Sequence, residues 1–345
     1  MVIESSHGPP PLRSRTIPRF FVRPAAKTPL RGRTAPGAAR LDVVPTVRIG
    51  LSGWRYAGWR GPFYPVGLPQ RRELEHVASA FPAVELNGSF YSLQRPTSFV
   101  AWREQTPEGF TFAVKGPRFV THMKRLRDVR TPLANFFASG VLALGDRLGP
   151  VLWQLPARTT FDAALLDEFL ALLPRTTAEA ARLARDHDDR LRAPAWTEVD
   201  ADRPLVHALE PRHESFAGTE ALDLLRRHGV AFAISDGAGQ WPLVEAVTSD
   251  LVYVRLHGDR TLYTSGYRPH VLDAWAERVR DWHAAGHEVE VYFDNDGDAH
   301  APADALALMT RLPDLAIPGP GPAVEPAPRR RRAARPGHAA GGGAR

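Results

Sequence analysis

The sequence predicts an α/β protein: a single (β/α)8, or TIM, barrel with disordered N- and C-terminal tails. Three observations carry that expectation. Eight short β-type segments alternate with helical patterns. In most of these segments one side-chain parity is apolar, and the other turns polar near the C-terminal end. No G-x-G-x-x-G follows any of them, and a doubly wound open sheet, the competing architecture, would not require so regular a count.

The strands are expected at 48–53, 83–90, 110–116, 151–156, 205–211, 231–236, 251–258 and 289–295. Each is short, and most are rich in β-branched or aromatic residues and bounded by Gly, Pro or polar residues. Helical spacing of apolar residues occupies 69–81, 97–105, 132–148, 162–173, 219–228, 269–285 and 302–312. Pro69, Pro132 and Pro302 suit a first helical turn, Thr97 and Asp162 suit caps, and Gly229 suits a stop. Between the sixth and seventh strands, 237–248 has room only for a short helical turn. The barrel domain is expected over 46–315. An insertion at 176–203 joins a helix end to a strand start, which puts it at the barrel floor. Residues 1–45 and 316–345 are basic, Pro-rich and aperiodic, and read as disordered.

Composition narrows the class. At 345 residues, a 43% hydrophobic content supports a sizeable core. The net charge of +6 comes mainly from the two tails. The run Arg329–Arg332 could touch nucleic acid or an anionic surface, although a solvated tail is the commoner role for such runs. The chain has no cysteine, which excludes disulfides, thiolate nucleophiles and Cys-ligated zinc. No signal-peptide core opens the sequence, and no run approaches the roughly 18–20 apolar residues of a membrane span. The most apolar run, 136–145, reads as a buried helix. A cytoplasmic protein with no membrane partner is expected, and nothing in the sequence sets its oligomeric state.

Strand parity then places the polar side chains. The segment LVHALEPRH (205–213) puts Glu210 and Arg212 on one face, above small residues, where the strand ends. Charges stacked there are costly unless paired, solvated or used. The second strand turns Glu85, Asn87 and Ser89 inward, the third Lys115, the fourth Gln154, the seventh Arg255 and His257, and the eighth Asp294. The first turns Ser52 and Trp54 inward, and Asp236 ends the sixth. The expected mouth therefore holds Glu85, Asn87, Lys115, Gln154, Glu210, Arg212, Asp236, Arg255, His257 and Asp294, at the barrel end where such enzymes hold their chemistry. The competing reading is a structural ion-pair network that caps the barrel. Paired charges often stabilise no better than apolar packing, so so large a set points to a functional pocket.

These residues lie in recognisable motifs. IGLSGWRYAGWRGPFYP (49–65), VELNGSFY (84–91), FAVKGPRFVTHMKRL (112–126), WQLP (153–156), EPRHESF (210–216), YVRLHG with LYTSGY (253–258, 262–267) and YFDND with AHAP (292–296, 299–302) follow one another in order. In this the chain resembles the family of barrel proteins known as domain of unknown function 72. The resemblance implies the TIM barrel and supplies no reaction. Members of that family commonly carry a serine-like residue where Arg55 stands, a larger residue at Gly88 and asparagine at Asp294.

Three kinds of chemistry fit the mouth. Glu210, Asp236, His257 and Asp294 offer oxygen ligands and one imidazole, which suit a divalent metal; no motif indicates any other cofactor. Their order resembles that of metal-dependent sugar isomerases and endonuclease IV-like barrels, yet Lys115, Arg212 and Arg255 could balance the acids without a metal. The basic residues Lys115, Arg118, His122, Arg212 and Arg255 suit an anionic small molecule or nucleic acid, with Asn87 and Gln154 as polar contacts. Trp54, Tyr91, Tyr263 and Tyr267 could stack a sugar or base. For proton transfer, His257 and Glu210 form the expected acid–base pair, with Glu85, Lys115 and Asp236 as further catalytic candidates. Burial of Lys115 near Arg255 would also allow a Schiff base. The expected function is acid–base chemistry on a phosphate-bearing substrate, with phosphodiester cleavage in nucleic acid ranked first. Sugar-phosphate isomerisation or epimerisation and non-catalytic anion or nucleic-acid binding are the alternatives.

Overall fold

A computed structural model describes residues 45–321 of the protein. Eight parallel strands pair in chain order and close on themselves. They are β1 (Val47–Ser52), β2 (Ala83–Leu86), β3 (Thr111–Lys115), β4 (Leu148–Gln154), β5 (His207–Glu210), β6 (Ala231–Asp236), β7 (Leu251–Leu256) and β8 (Glu288–Phe293). Around them lie α1 (Glu73–Ala80), α2 (Gly88–Tyr91), α3 (Pro96–Glu104), α4 (Arg130–Ala138), α5 (Ala163–Leu172), α6 (Thr177–Ala184), α7 (Thr219–Arg227), α8 (Pro269–Ala284) and α9 (His300–Met309). The TIM barrel expected from strand parity is the fold of the chain.

The core has two parts because the strands alternate. One parity, including Ile49, Val84, Phe112, Trp153, Val254 and Val291, packs outward with the helices. The other fills the interior with Ala83, Ala113, Leu152, Ala208, Ala231 and Ala233 around the rings of Tyr253 and Tyr292. Alanines predominate there because the tyrosines take up the volume, their ring centroids 5.2 Å apart. Gly50 is required for the same reason: a Cβ there would stand 2.3 Å from the Ala83 carbonyl oxygen.

Three expected elements differ. β2 stops at Leu86, and Asn87 turns into α2, a single helical turn. The alternation Glu85, Asn87, Ser89 has strand period, but Asn and Gly are poor strand formers. The helix expected over 132–148 breaks after Ala138, because Gly140 takes φ 114° and lets the backbone approach Pro96. A Cβ on Gly140 would lie 2.5 Å from Pro96 Cα. Gly140→Ala is therefore expected to cost roughly 1–3 kcal/mol, read as a fall in urea midpoint with unchanged slope. Between β6 and β7 no helix forms among the described residues. The 176–203 segment carries α6, which lies along α4, with Asn135 bonded to Asp188 at 2.7 Å and Trp196 N to Ala138 O at 2.8 Å.

The expected cap at Asp162 is made: its side chain accepts from Leu165 N at 3.1 Å. Residues 316–321, expected to begin the C-terminal tail, instead run along the strand starts, with Ile317 N bonded to Val47 O and Gly321 N to Ser79 O, both at 2.9 Å. Residues 1–44 and 322–345, which hold most of the expected tails and Arg329–Arg332, lie outside the described residues. Among the described residues no helix is long and apolar enough to cross a membrane.

Candidate functional site

Register brings the polar ends of the strands to one level. Ser52 pairs with Glu85, Gln154 with Glu210 and Ser235 with Arg255. Partners in a parallel ladder share a face, so these side chains meet inside the barrel at its C-terminal end.

Arg255 is the centre. Its guanidinium is fully buried and uses its planar fork on three carboxylates. Nε and Nη2 donate side-on to Glu85 at 2.8 and 2.6 Å, Nη1 donates to Glu210 at 2.9 Å, and Nη2 also donates to Asp294 at 2.9 Å. Ser52 Oγ and Tyr253 OH donate to the two oxygens of Glu85 at 2.5 and 2.7 Å. Asn87 Nδ2 donates to Ser52 Oγ at 2.8 Å. Arg212 donates to Glu210 at 2.8 Å and lies 3.9 Å from the centre of the Trp241 ring. Burial alone would raise the Glu210 carboxyl; Arg212 and Arg255 outweigh it and hold that group well below the usual carboxylate range. Asp294 is held low in the same way by Arg255 and His257.

His257 is fully buried beneath Trp241 and Tyr263, edge-on to both at 5.3 and 5.5 Å. Its Nε2 is 3.2 Å from Arg255 Nη1 and 3.1 Å from Ser235 Oγ. Arginine only donates, so the first contact is a hydrogen bond only where Nε2 carries no proton. Nδ1 is 2.9 Å from Asp294 Oδ2 but makes no hydrogen bond among the described residues.

The surface of the mouth is a second layer. Lys115 (7% exposed), Gln154 (8%) and Asp294 (8%) reach it at their edges. The Lys115 ammonium lies 4.6 Å from the Phe90 ring centre. Burial and the Arg255 charge bring that amine down to about 8. His122 stands edge-on to Phe90, and burial plus the charges of Arg118, Lys115, Arg212 and Arg158 push it down to about 4. Arg118 and Arg158 are exposed and make no ion pair among the described residues. Asp296, just past β8, is pushed up to about 9 by burial and by Asp294. Arg125, Leu126, Asp128 and Tyr263 hold left-handed backbone in loops that follow β3 and β7. Such strain in non-glycine residues is common beside working sites.

Of the expected site residues, Glu85, Asn87, Lys115, Gln154, Glu210, Arg212, Arg255, His257 and Asp294 come together, with Arg118, His122 and Tyr263 at the rim. Tyr91 is exposed beside Phe90, 5.1 Å between ring centres. Three do not join. Asp236 shares the parity of Phe232 and Ile234, pairs with Leu256, and accepts from Tyr267 OH at 3.3 Å; Ser235 takes the interior place. Tyr267 is buried and also accepts from Gly258 N, so it is a post and not a stacking surface. Trp54, one residue beyond the turn at Gly53 (φ 100°), packs edge-on to Trp102 and Phe112 on the helix side. A metal set of Glu210, Asp236, His257 and Asp294 is not assembled. Glu210 and Asp294 face Arg255 and Asp236 faces Tyr267, and among the described residues no three His, Asp or Glu are grouped to hold an ion. Reading by residue missed Ser235, Trp241, Arg158 and Asp296. The motif YFDND (292–296) contains Asp296, but strand parity directs attention to Asp294, and Asp296 lies past the strand end, before the 3-10 turn Gly297–Ala299.

The fold and the network define a class: a closed (β/α)8 barrel with a buried arginine–carboxylate cluster beneath its C-terminal mouth. The chain belongs to the DUF72 family of proteins of unknown function, whose model matches residues 48–328. The UPF0759 protein YunF of Bacillus subtilis is 25% identical over 306 residues, which cover 80% of this chain and 98% of that protein. The UPF0759 protein YecE of Escherichia coli is 33% identical over 111 residues, which cover 32% of this chain and only 38% of that protein. The crystal structure of a DUF72 family protein from Thermotoga maritima has a TM-score of 0.62 at 27% identity, with 78% of this chain and all of that chain covered. One from Enterococcus faecalis has a TM-score of 0.59 at 17% identity, covering 78% of this chain and 96% of that one.

Proposed function

We propose that the barrel is an enzyme that binds a small phosphate-bearing substrate at its mouth and moves protons on it. The observation that carries this is the unequal charge of the two layers. The acids beneath the mouth are satisfied by Arg255 and Arg212, whereas Lys115, Arg118 and Arg158 at its surface make no ion pair among the described residues. An anion completes that set.

The acid–base roles shift outward from the expected pair. Glu210 and His257 are fully buried and engaged with Arg255, so they act through Asp294, whose edge reaches the surface. Asp294, held ionised, and Asp296, held protonated, are neighbouring carboxyls pushed apart by their surroundings, a pattern that separates a base from an acid. Narrow exposure of Lys115, Gln154 and Asp294 favours a small molecule, so sugar-phosphate isomerisation or epimerisation moves ahead of phosphodiester cleavage in nucleic acid.

The test is calorimetry with inorganic phosphate and sugar phosphates at low salt. Arg118→Gln and Arg158→Gln are each expected to weaken binding roughly tenfold without changing the melting temperature. Absence of anion binding by the unaltered protein at low salt would end this reading. Binding without turnover, unaffected by Asp296→Asn, would favour a non-catalytic binder.

A further inference from the structure

Of the 44 basic Lys and Arg residues in the chain, only three are lysine: Lys27, Lys115 and Lys124. One of the three occupies the barrel mouth. Arginine supplies positive charge almost everywhere else, and it supplies more donors for an anion. It does not supply a nucleophilic amine.

The surroundings of Lys115 fit that difference. Glu85, Glu210 and Asp294 would be its natural counter-ions, but all three turn to Arg255. Among the described residues the Lys115 amine makes no ion pair and no hydrogen bond, and its only close partner is the Phe90 ring. It is 93% shielded from solvent yet keeps an edge at the mouth, beside the cations Arg118 and Arg158 that act on neighbouring His122.

We propose that Lys115 forms an imine with the carbonyl carbon of an aldehyde or ketone that also carries a phosphate. This rests on the anion-binding reading above and adds a covalent step to it. The neutral amine adds to the carbonyl carbon, the C=O π pair moves to oxygen, and one amine proton passes to that oxygen. The carbinolamine then loses its hydroxyl and the second amine proton as water, leaving a C=N bond to Nζ. Burial and Arg255 bring the amine down to about 8, so a neutral fraction is available near physiological pH. The phosphate would sit among Arg118, Arg158 and His122, and the carbonyl would reach inward.

The test is reductive trapping on the full chain. Protein is incubated with glyceraldehyde 3-phosphate and sodium cyanoborohydride, then digested and mapped by mass spectrometry. The expected adduct is on the peptide that contains Lys115, at a rate at least about tenfold above that with unphosphorylated glyceraldehyde. The rate should rise as pH passes through about 8. Lys115→Met should lose that adduct while Lys124 labelling stays unchanged. If that variant does not fold, the site map of the unaltered protein decides by itself. An adduct confined to Lys27, Lys124 or the N-terminus overturns the proposal. Phosphate binding by calorimetry separates the failures: binding without a Lys115 adduct sinks the imine alone, and loss of both sinks the anion-binding reading as well.

Discussion

Arg255→Met is expected to leave the barrel unfolded or close to it at pH 7.5. The guanidinium is the shared partner of Glu85, Glu210 and Asp294, all buried. Removing one member of a buried pair costs roughly 3–5 kcal/mol, because the other charge is left without a partner. Here three charges lose theirs, against a total stability of about 5–15 kcal/mol for a typical domain. Arg212 still compensates Glu210, whereas among the described residues Glu85 keeps only the hydroxyls of Ser52 and Tyr253 as bonded partners.

The pH dependence gives this prediction its particular signature. In the unaltered protein Glu210 and Asp294 are held below their ordinary values. Their contribution is present above about pH 4 and is lost as pH falls through the lowered values. In Arg255→Met both carboxyls stay buried, but Glu210 keeps Arg212 whereas Asp294 loses its largest charge partner, so burial raises Asp294. The protonated form of Asp294 then favours the fold, and stability is lost as pH rises. Thermal melts should show the deficit shrinking between pH 7.5 and 5, the reverse of the slope of the unaltered protein in acid. Arg255→Lys keeps the charge but cannot span three acids, and should fall between the two. A methionine variant that melts with the unaltered protein at pH 7.5 would show that the network is dispensable. For the same reason Arg255 is a poor position for testing ligand binding, and Arg118 and Arg158 are better ones.

Much of this site was legible because a strand has a period of two. Glu210 and Arg212 had to share a face, and they are bonded. Arg255 and His257 had to follow each other inward, and they do. Period also misled where the chain stopped being a strand: Asn87 and Ser89 continue the alternation of Glu85 although the backbone has already turned. For Asp236, the last residue of β6, the neighbours were too small and mixed to fix the parity, and its place belongs to Ser235. Parity gives direction but not distance. It placed the charges in one space without showing that the acids all choose Arg255 and leave Lys115 alone. That choice depends on side-chain length and fork geometry across five strands, which no single segment contains. The break at Gly140 was hidden because its cause, contact with Pro96, is distant in sequence.

Glu290→Gln is expected to stabilise the protein in alkali and to leave it nearly unchanged in acid. Glu290 lies inside the barrel near its floor, 4% exposed, and accepts a hydrogen bond from Tyr292 OH at 2.8 Å. Burial is the main influence and, opposed by Arg48 and the Tyr292 hydrogen bond, lifts the carboxyl from 4.5 to about 7. The folded state therefore keeps its proton where the unfolded chain has lost it. The stability this contributes is fully present below about pH 4.5 and is lost as pH rises through about 7. Glutamine has the shape of the protonated acid, can still accept from Tyr292, and never ionises. Above pH 8 the variant should gain up to about 3 kcal/mol over the unaltered protein, from a shift of that size at about 1.4 kcal/mol per unit. That rise already includes the charge of Arg48, which favours the ionised acid and opposes burial. Urea unfolding at pH 5 and pH 8.5 measures both ends. Equal stability of the two proteins at pH 8.5 would mean that Arg48 fully compensates the buried charge, and that the barrel floor, like the layer beneath its mouth, holds its acid as one half of an ion pair.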